Sequence, residues 1–199
     1  MTISHLSKSY GNHPVFQDRT FTIEQGKINV LVGPSGSGKT TLLRIICGLE
    51  QPDSGDLSAL QGKRFSMVFQ ENRLCRNLSA SANVRLVSDS ETADRILAEL
   101  GLGDSLRQPV KYLSGGMQRR VALARALAAQ SDILLLDEPF TGLDDETKEE
   151  VVRLFLELAK GKTTILVTHD TREVALMGDV RTIRLQSALS PLPGKDGKG

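Results

Sequence analysis

Gly33, Gly38, Lys39 and Thr40 stand at the spacing G-x-x-x-x-G-K-[ST] inside GPSGSGKT, residues 33–40. These residue types at this spacing build a phosphate cradle. Glycines let successive backbone N–H groups curl around an anion, and a helix N-terminus adds partial positive charge. The lysine reaches the terminal phosphate oxygens, and the hydroxyl takes a divalent cation. The flanks suit this chemistry, with the apolar run KINVLV before the loop and the helical pattern KTTLLRIICGL after it.

Two further runs end in groups that do chemistry. DILLLDEP, residues 132–139, places Asp137 and Glu138 at the carboxyl end of a buried strand, the edge at which open parallel sheets bind ligands. Adjacent carboxylates there repel and lose hydration. Mg²⁺ near Asp137 would compensate and leave Glu138 free to polarise a water; taken alone, the pair also reads as a solvated acidic turn before Pro139. TTILVTH, residues 163–169, repeats the geometry with His169. A lone histidine at a strand end serves structure as readily. What draws it into a site is the convergence of Lys39, Asp137 with Glu138, and His169 on one edge. Gln70, closing RFSMVFQ, is either a polar turn residue or an amide ligand to the metal or the attacking water. Tyr10, in LSKSYGN, is a turn aromatic or one of the few rings available to stack on a base, since the chain has two Tyr, six Phe and no Trp.

A second helix start suited to an anion lies in LSGGMQRRVALARALA, residues 113–128. Ser114 there either caps an ordinary helix beside a flexible glycine pair, or joins Gly115 and Gly116 in letting backbone amides approach a phosphate closely. Arg119, Arg120 and Arg125 point in different directions on such a helix and are expected in solvated or ion-paired positions.

Positioning these groups requires an α/β fold. Residues 1–32 alternate short β-like runs with turns, and residues 56–69 read as two further strands around a Gln-Gly turn. From 71 to 130 the period is helical. Continuous apolar strands return at 132–139 and 163–169, joined by an amphipathic helix in DDETKEEVVRLFLELAKGK with an acidic start and a basic end. The expected architecture is a P-loop NTPase core with a mainly parallel sheet, an N-terminal antiparallel β subdomain and an inserted α-helical subdomain. One domain spans 1–185, with 1–70 and 131–185 as nucleotide-binding core and 71–130 as helical insert, followed by a flexible tail at 186–199.

Bulk properties narrow the class. At 199 residues the chain supports one core with an inserted lobe, and Lys plus Arg of 25 against 24 Asp plus Glu leaves no footprint for nucleic acid. No apolar run approaches the roughly 18 residues of a membrane span, and the first residues lack a signal-peptide core, so the cytoplasm is the expected compartment. Cys47 reads as a small core residue and Cys75 as part of a polar stretch; neither is assigned a function.

The order GPSGSGKT, Gln70, LSGGMQ, ILLLDEP, TGLD and His169 resembles the nucleotide-binding subunits of ABC transporters over roughly residues 1–185. That resemblance implies an ATPase using ATP and Mg²⁺. Tyr10 would stack on adenine, and Gly33, Pro34, Ser35, Gly36, Ser37, Gly38, Lys39, Thr40 and Thr41 would hold phosphates. Thr40, Gln70 and Asp137 would serve the metal, Glu138 would be the general base and His169 the γ-phosphate sensor. Ser114, Gly115 and Gly116 would cap the nucleotide of a second ATPase subunit, identical or closely paralogous, packed head to tail, with Asp144 at the seam. The chain would sit on the inner face of the membrane through permease subunits, with a solute-binding protein if it is an importer. FQENRL, residues 69–74, is similar to the nitrate, sulfonate and taurine importers. An exporter or lipoprotein-release ATPase is the alternative, and a soluble non-transport ABC ATPase a weaker one. Leu74 and Leu78 either pin the lobe to its own core or line a groove for a permease helix.

Overall fold

A computed structural model describes residues 1–186. Of the tail expected at 186–199, everything from residue 187 lies outside the described residues.

The chain opens with two antiparallel strands, Thr2–Tyr10 (β1) and His13–Thr22 (β2). Ile28–Val32 (β3) then runs into the glycine-rich loop and the helix Lys39–Ile46 (α1). Ser54–Asp56 (β4) returns to β1 and completes a three-stranded antiparallel sheet in the order β2-β1-β4. Phe65–Val68 (β5) follows. The two strands expected at 56–69 are therefore one strand that ends at Asp56, a single helical turn at Ser58–Leu60, and β5. The side chain of Asp56 accepts from the Ser58 amide at 2.8 Å, a local turn that competes with strand continuation.

The next stretch is helical: Ala80–Val84 (α2), Ser90–Leu97 (α3) and Gly115–Ala128 (α4). Each start is capped by a side chain, with Ser79, Asp89 and Ser114 accepting from the amides of Ala82, Thr92 and Met117. Ile133–Asp137 (β6), Asp145–Leu158 (α5), Thr163–Val167 (β7), Thr171–Met177 (α6) and Arg181–Arg184 (β8) complete the order. The acidic start of α5 is present in Asp145 and Glu146, but its last turn carries no base. Lys160 and Lys162 fall beyond it, and the Lys162 ammonium donates to the Leu127 carbonyl at 3.0 Å.

β5, β6, β7, β3 and β8 form a parallel sheet in that order. Successive side chains of a strand point to opposite faces, so the apolar runs of β6 and β7 supply two cores at once. Leu134, Leu136 and Leu166 join Phe140, Phe155 and the buried faces of α2 to α5. Ile133, Leu135, Ile165 and Val167 join Leu42, Leu43, Ile45 and Ile46 of α1 and Phe16 and Phe21 of β2. Because the strands are parallel, the carboxyl ends of β5, β6, β7 and β3 share one edge. Leu74 is half-buried against the first core, whereas Leu78 is exposed. Cys47 is half-buried at the margin of the second core, and Cys75 is exposed.

Candidate functional site

At that edge lies an open groove of about 290 Å³ lined by Ser35, Gly36, Gly38, Lys39, Thr40, Thr41, Gln70, Asp137, Glu138, Val15 and Val167. Groups expected to act together from three separate stretches of sequence line one groove. A smaller recess of about 100 Å³ shares Thr40, Gln70 and Asp137 and adds Arg44, Phe69, Glu71 and Arg73. A cavity as large as the groove lies between β2 and β8, but among its lining residues are no carboxylates and no part of the glycine loop.

The cradle is closely fitted. Gly38 caps α1 in the left-handed region, with φ 90° and no side-chain cap, and a Cβ there would stand 2.5 Å from Val15 and 2.7 Å from the Phe16 ring. Only glycine fits both the angle and the space. A Cβ on Gly33 would meet the Leu185 carbonyl oxygen at 2.5 Å and Ser37 Oγ at 2.8 Å. The Ser37 hydroxyl is buried and has no hydrogen-bond partner. The Lys39 ammonium donates to the carbonyls of Gly33 at 2.8 Å and Pro34 at 2.9 Å, so it bends over its own loop.

Asp137, 2% exposed at the end of β6, accepts from the Thr40 hydroxyl at 2.8 Å. Burial pushes its pKa above the usual carboxylate value, Thr40 opposes that shift, and neighbouring Glu138 adds to it. A hard cation with oxygen ligands would relieve a buried carboxylate of this kind, and Thr40 and Asp137 already meet where Gln70 faces the same recess. The residues fit Mg²⁺.

Glu138 adopts φ 55°, a left-handed conformation that costs a non-glycine residue about 1 kcal/mol or more. Its amide donates to the Val167 carbonyl at 2.9 Å, and its carbonyl accepts from Arg119. The turned backbone aims the carboxylate at the end of β7, where His169 Nδ1 lies 2.8 Å from one oxygen and 2.7 Å from the other. Thr141 Oγ1 donates to Glu138 Oε2 at 3.2 Å. Hydrogen bonding to Glu138 and its charge raise the His169 pKa above the ordinary value. Behind His169, Lys148 pairs with Asp170 at 3.1 Å and with buried Glu173 at 3.6 Å, tying α5 to α6.

Other expected residues stand elsewhere. Tyr10, Ser114, Gly115, Gly116 and Asp144 lie outside the set lining the groove. Tyr10 is exposed, with the Lys8 ammonium 5.1 Å from its ring centre. Ser114 and Gly115 are exposed, and a Cβ on Gly116 would stand 3.2 Å from the Gly142 carbonyl oxygen. Gly116 thus abuts the Thr141–Asp144 turn, whose Asp144 caps α5 through the Thr147 amide at 3.0 Å, whereas Gly115 faces open space.

Arg119 departs from expectation. It is 3% exposed and makes no carboxylate pair; instead it donates to main-chain carbonyls of the segments that carry Gln70, Asp137 and Glu138. Arg120 donates to the Leu100 carbonyl at 2.9 Å and Arg125 to that of Arg73 at 3.0 Å, and among the described residues neither has an ion-pair partner. Strand ends and loops leave carbonyls without ladder partners, and a guanidinium supplies several donors at once. The signal in the sequence was spacing: Arg119 stands at i to buried Ala122, Leu123 and Ala126 at i+3, i+4 and i+7.

A family model described as ABC transporter matches residues 16–141, a span holding the glycine loop, Gln70, the Ser114 helix start and the Asp137–Glu138 pair.

The chain belongs to the ABC transporter family.

It is an ATP-binding and ATP-hydrolysing protein of that family. A taurine import ATP-binding protein of Roseobacter denitrificans is 38% identical over 218 aligned positions, covering 98% of this chain and 79% of that protein. An aliphatic sulfonates import ATP-binding protein of Rhodococcus jostii is 41% identical, covering 90% of this chain and 69% of its own length. Among solved structures, the ATP-binding cassette MJ0796, a dimer in a post-hydrolysis state bound to ADP and Pi, superposes with a TM-score of 0.81 at 30% identity, covering 94% of this chain and 97% of that one. Among the described residues, no helix is long and apolar enough to cross a membrane.

Proposed function

We propose that this chain powers the import of a small organic anion, of the taurine or alkyl-sulfonate kind, as one of two ATPase subunits beneath a separate permease, with a solute-binding protein delivering the cargo. The solute rests on the relatives described above and on FQENRL at 69–74. Exposed Leu78, close to Gln70 in the chain, is the candidate for permease contact, while half-buried Leu74 serves the core.

In the proposed hydrolysis, Lys39 and the backbone amides of residues 35–41 hold the β- and γ-phosphates. Thr40, Asp137 and Gln70 hold Mg²⁺, which when bound neutralises charge developing on the phosphate oxygens. Glu138 takes the proton from a water as its oxygen attacks the γ-phosphorus and the bond to ADP breaks. His169, held at 2.7 to 2.8 Å from Glu138, steadies that carboxylate and is placed to meet a γ-phosphate oxygen. Tyr10 is the candidate for stacking on adenine, and Ser114, Gly115, Gly116 and Asp144 act on the nucleotide held by the second subunit.

The observation that carries this reading is the left-handed turn at Glu138 beside buried Asp137, which sends neighbouring carboxylates to different tasks. Glu138→Gln is expected to keep ATP affinity while kcat falls by about 10² to 10⁴-fold, the usual contribution of base catalysis. Turnover near that of the unaltered chain would remove the assignment.

A further inference from the structure

Arg119 lies in α4, five residues after Ser114, and carries its guanidinium into the interior, where it is 3% exposed. Its Nη2 donates to the carbonyls of Asp137 and Glu138 and its Nε to that of Pro139 at 3.0 Å. Its Nη1 faces the carbonyls of Phe69 at 2.6 Å and Gln70 at 3.3 Å, and Asn72 Oδ1 at 3.1 Å. Burial lowers the guanidinium pKa, and the charges of Asp137 and Glu138 oppose that shift without touching it.

An arginine used only to fasten a helix to a sheet could be replaced by an apolar residue at less desolvation cost. What sets this one apart is the choice of acceptors, which are the main-chain oxygens of Glu138, Asp137 and Gln70. Glu138 sits in a left-handed conformation, so the direction of its side chain depends on the peptide planes on either side being fixed. One of those planes ends in the carbonyl that Arg119 holds.

We propose that Arg119 is a positioning residue for hydrolysis: its planar fork locks the main chain of Glu138 and of Gln70 in one relation, so that carboxylate and amide address the same water. The inference rests on the role proposed above for Glu138. A fork of donors in one plane suits carbonyls from two segments, whereas an ammonium offers a single point. The same helix begins at Ser114, so its register against the sheet is set by the side chain that orders the base.

The test is a mutant cycle on the full chain with Arg119→Gln, Arg119→Lys, Glu138→Gln and the double variant Arg119→Gln/Glu138→Gln, each with a melting curve. Arg119→Gln is expected to lower kcat by about tenfold or more while KM for ATP stays within about twofold, and Arg119→Lys to recover part of the loss. In the Glu138→Gln background the further loss should be no more than about twofold, because the group being positioned is gone. If Arg119→Gln does not fold, Arg119→Lys carries the same comparison. Unchanged kcat in a folded variant, or losses that multiply in the double variant, would overturn the proposal. Full turnover by Glu138→Gln alone would instead remove the base, and the inference would then be decided by the same cycle run with Gln70→Ala.

Discussion

Two helices of this molecule begin at glycines, and their surroundings are opposite. At α1 the chain fills its own space: Gly38 is pressed against Val15 and Phe16, its φ of 90° excludes a side chain, and Lys39 folds back on the loop. At α4 the start is capped by Ser114 and exposed, and a Cβ on Gly115 would meet nothing within 4 Å. Gly115 also lacks the positive φ that would demand glycine. Nothing in the described chain requires a glycine there, although alanine is the better helix former once inside a helix, where Gly115 is the first residue. The contrast separates a loop packed by its own chain from an exposed helix start that leaves room for the second subunit in the function proposed above.

Substitution by alanine should break the two glycines in different ways. Gly38→Ala combines a disfavoured backbone angle with overpacking, and together these are expected to cost about 3 kcal/mol of stability, read as a fall in the urea midpoint, along with loss of ATP binding. Gly115→Ala should leave stability within about 1 kcal/mol of the original or slightly higher. Its ATPase should nonetheless drop by about tenfold or more, since the added methyl keeps backbone amides from a phosphate. Normal turnover in Gly115→Ala, or a Gly38→Ala chain as stable as the original, would dissolve the contrast.

The strand ends of β6 and β7 sharpen the picture with a smaller effect. Asp137 is buried and His169 exposed, yet both are tuned by Glu138. The His169 pKa is raised by its pairing with Glu138, so the protonated pair is fully present below about 6.5, the unfolded value, and its contribution is lost as pH rises through the folded value. Glu138→Gln should therefore bring the His169 pKa down toward the ordinary range, followed by NMR of the ring protons. An unmoved titration would mean that the contact does not persist in solution.

Much of this site was legible because its groups sit at the ends of apolar strands, and the shortness of an uninterrupted run such as ILLLD, closed by Pro139, favours a strand buried on both faces over a helix. The glycine loop was legible for the same reason: spacing and context coincide. Arg119 was hidden because its acceptors are carbonyls, which every residue carries, on segments 18 to 50 positions away. The break after Asp56 escaped because an aspartate side chain turning to its second neighbour competes with strand pairing on nearly equal terms. Stacking of Tyr10 on adenine is implied by the resemblance alone, and its neighbours here are Lys8 of the central strand β1 and Glu50 of the segment between α1 and β4.

In the function proposed above, the phosphate held by one chain is capped by the Ser114–Gly116 start of another. Sedimentation velocity of Glu138→Gln, with and without ATP and Mg²⁺, tests it most directly, because uncleaved nucleotide should hold the two subunits together. A monomer is expected without nucleotide, a dimer with it, and a monomer in both conditions when Gly115→Ala is added. A Glu138→Gln chain that binds ATP yet sediments as the same monomer throughout would contradict it.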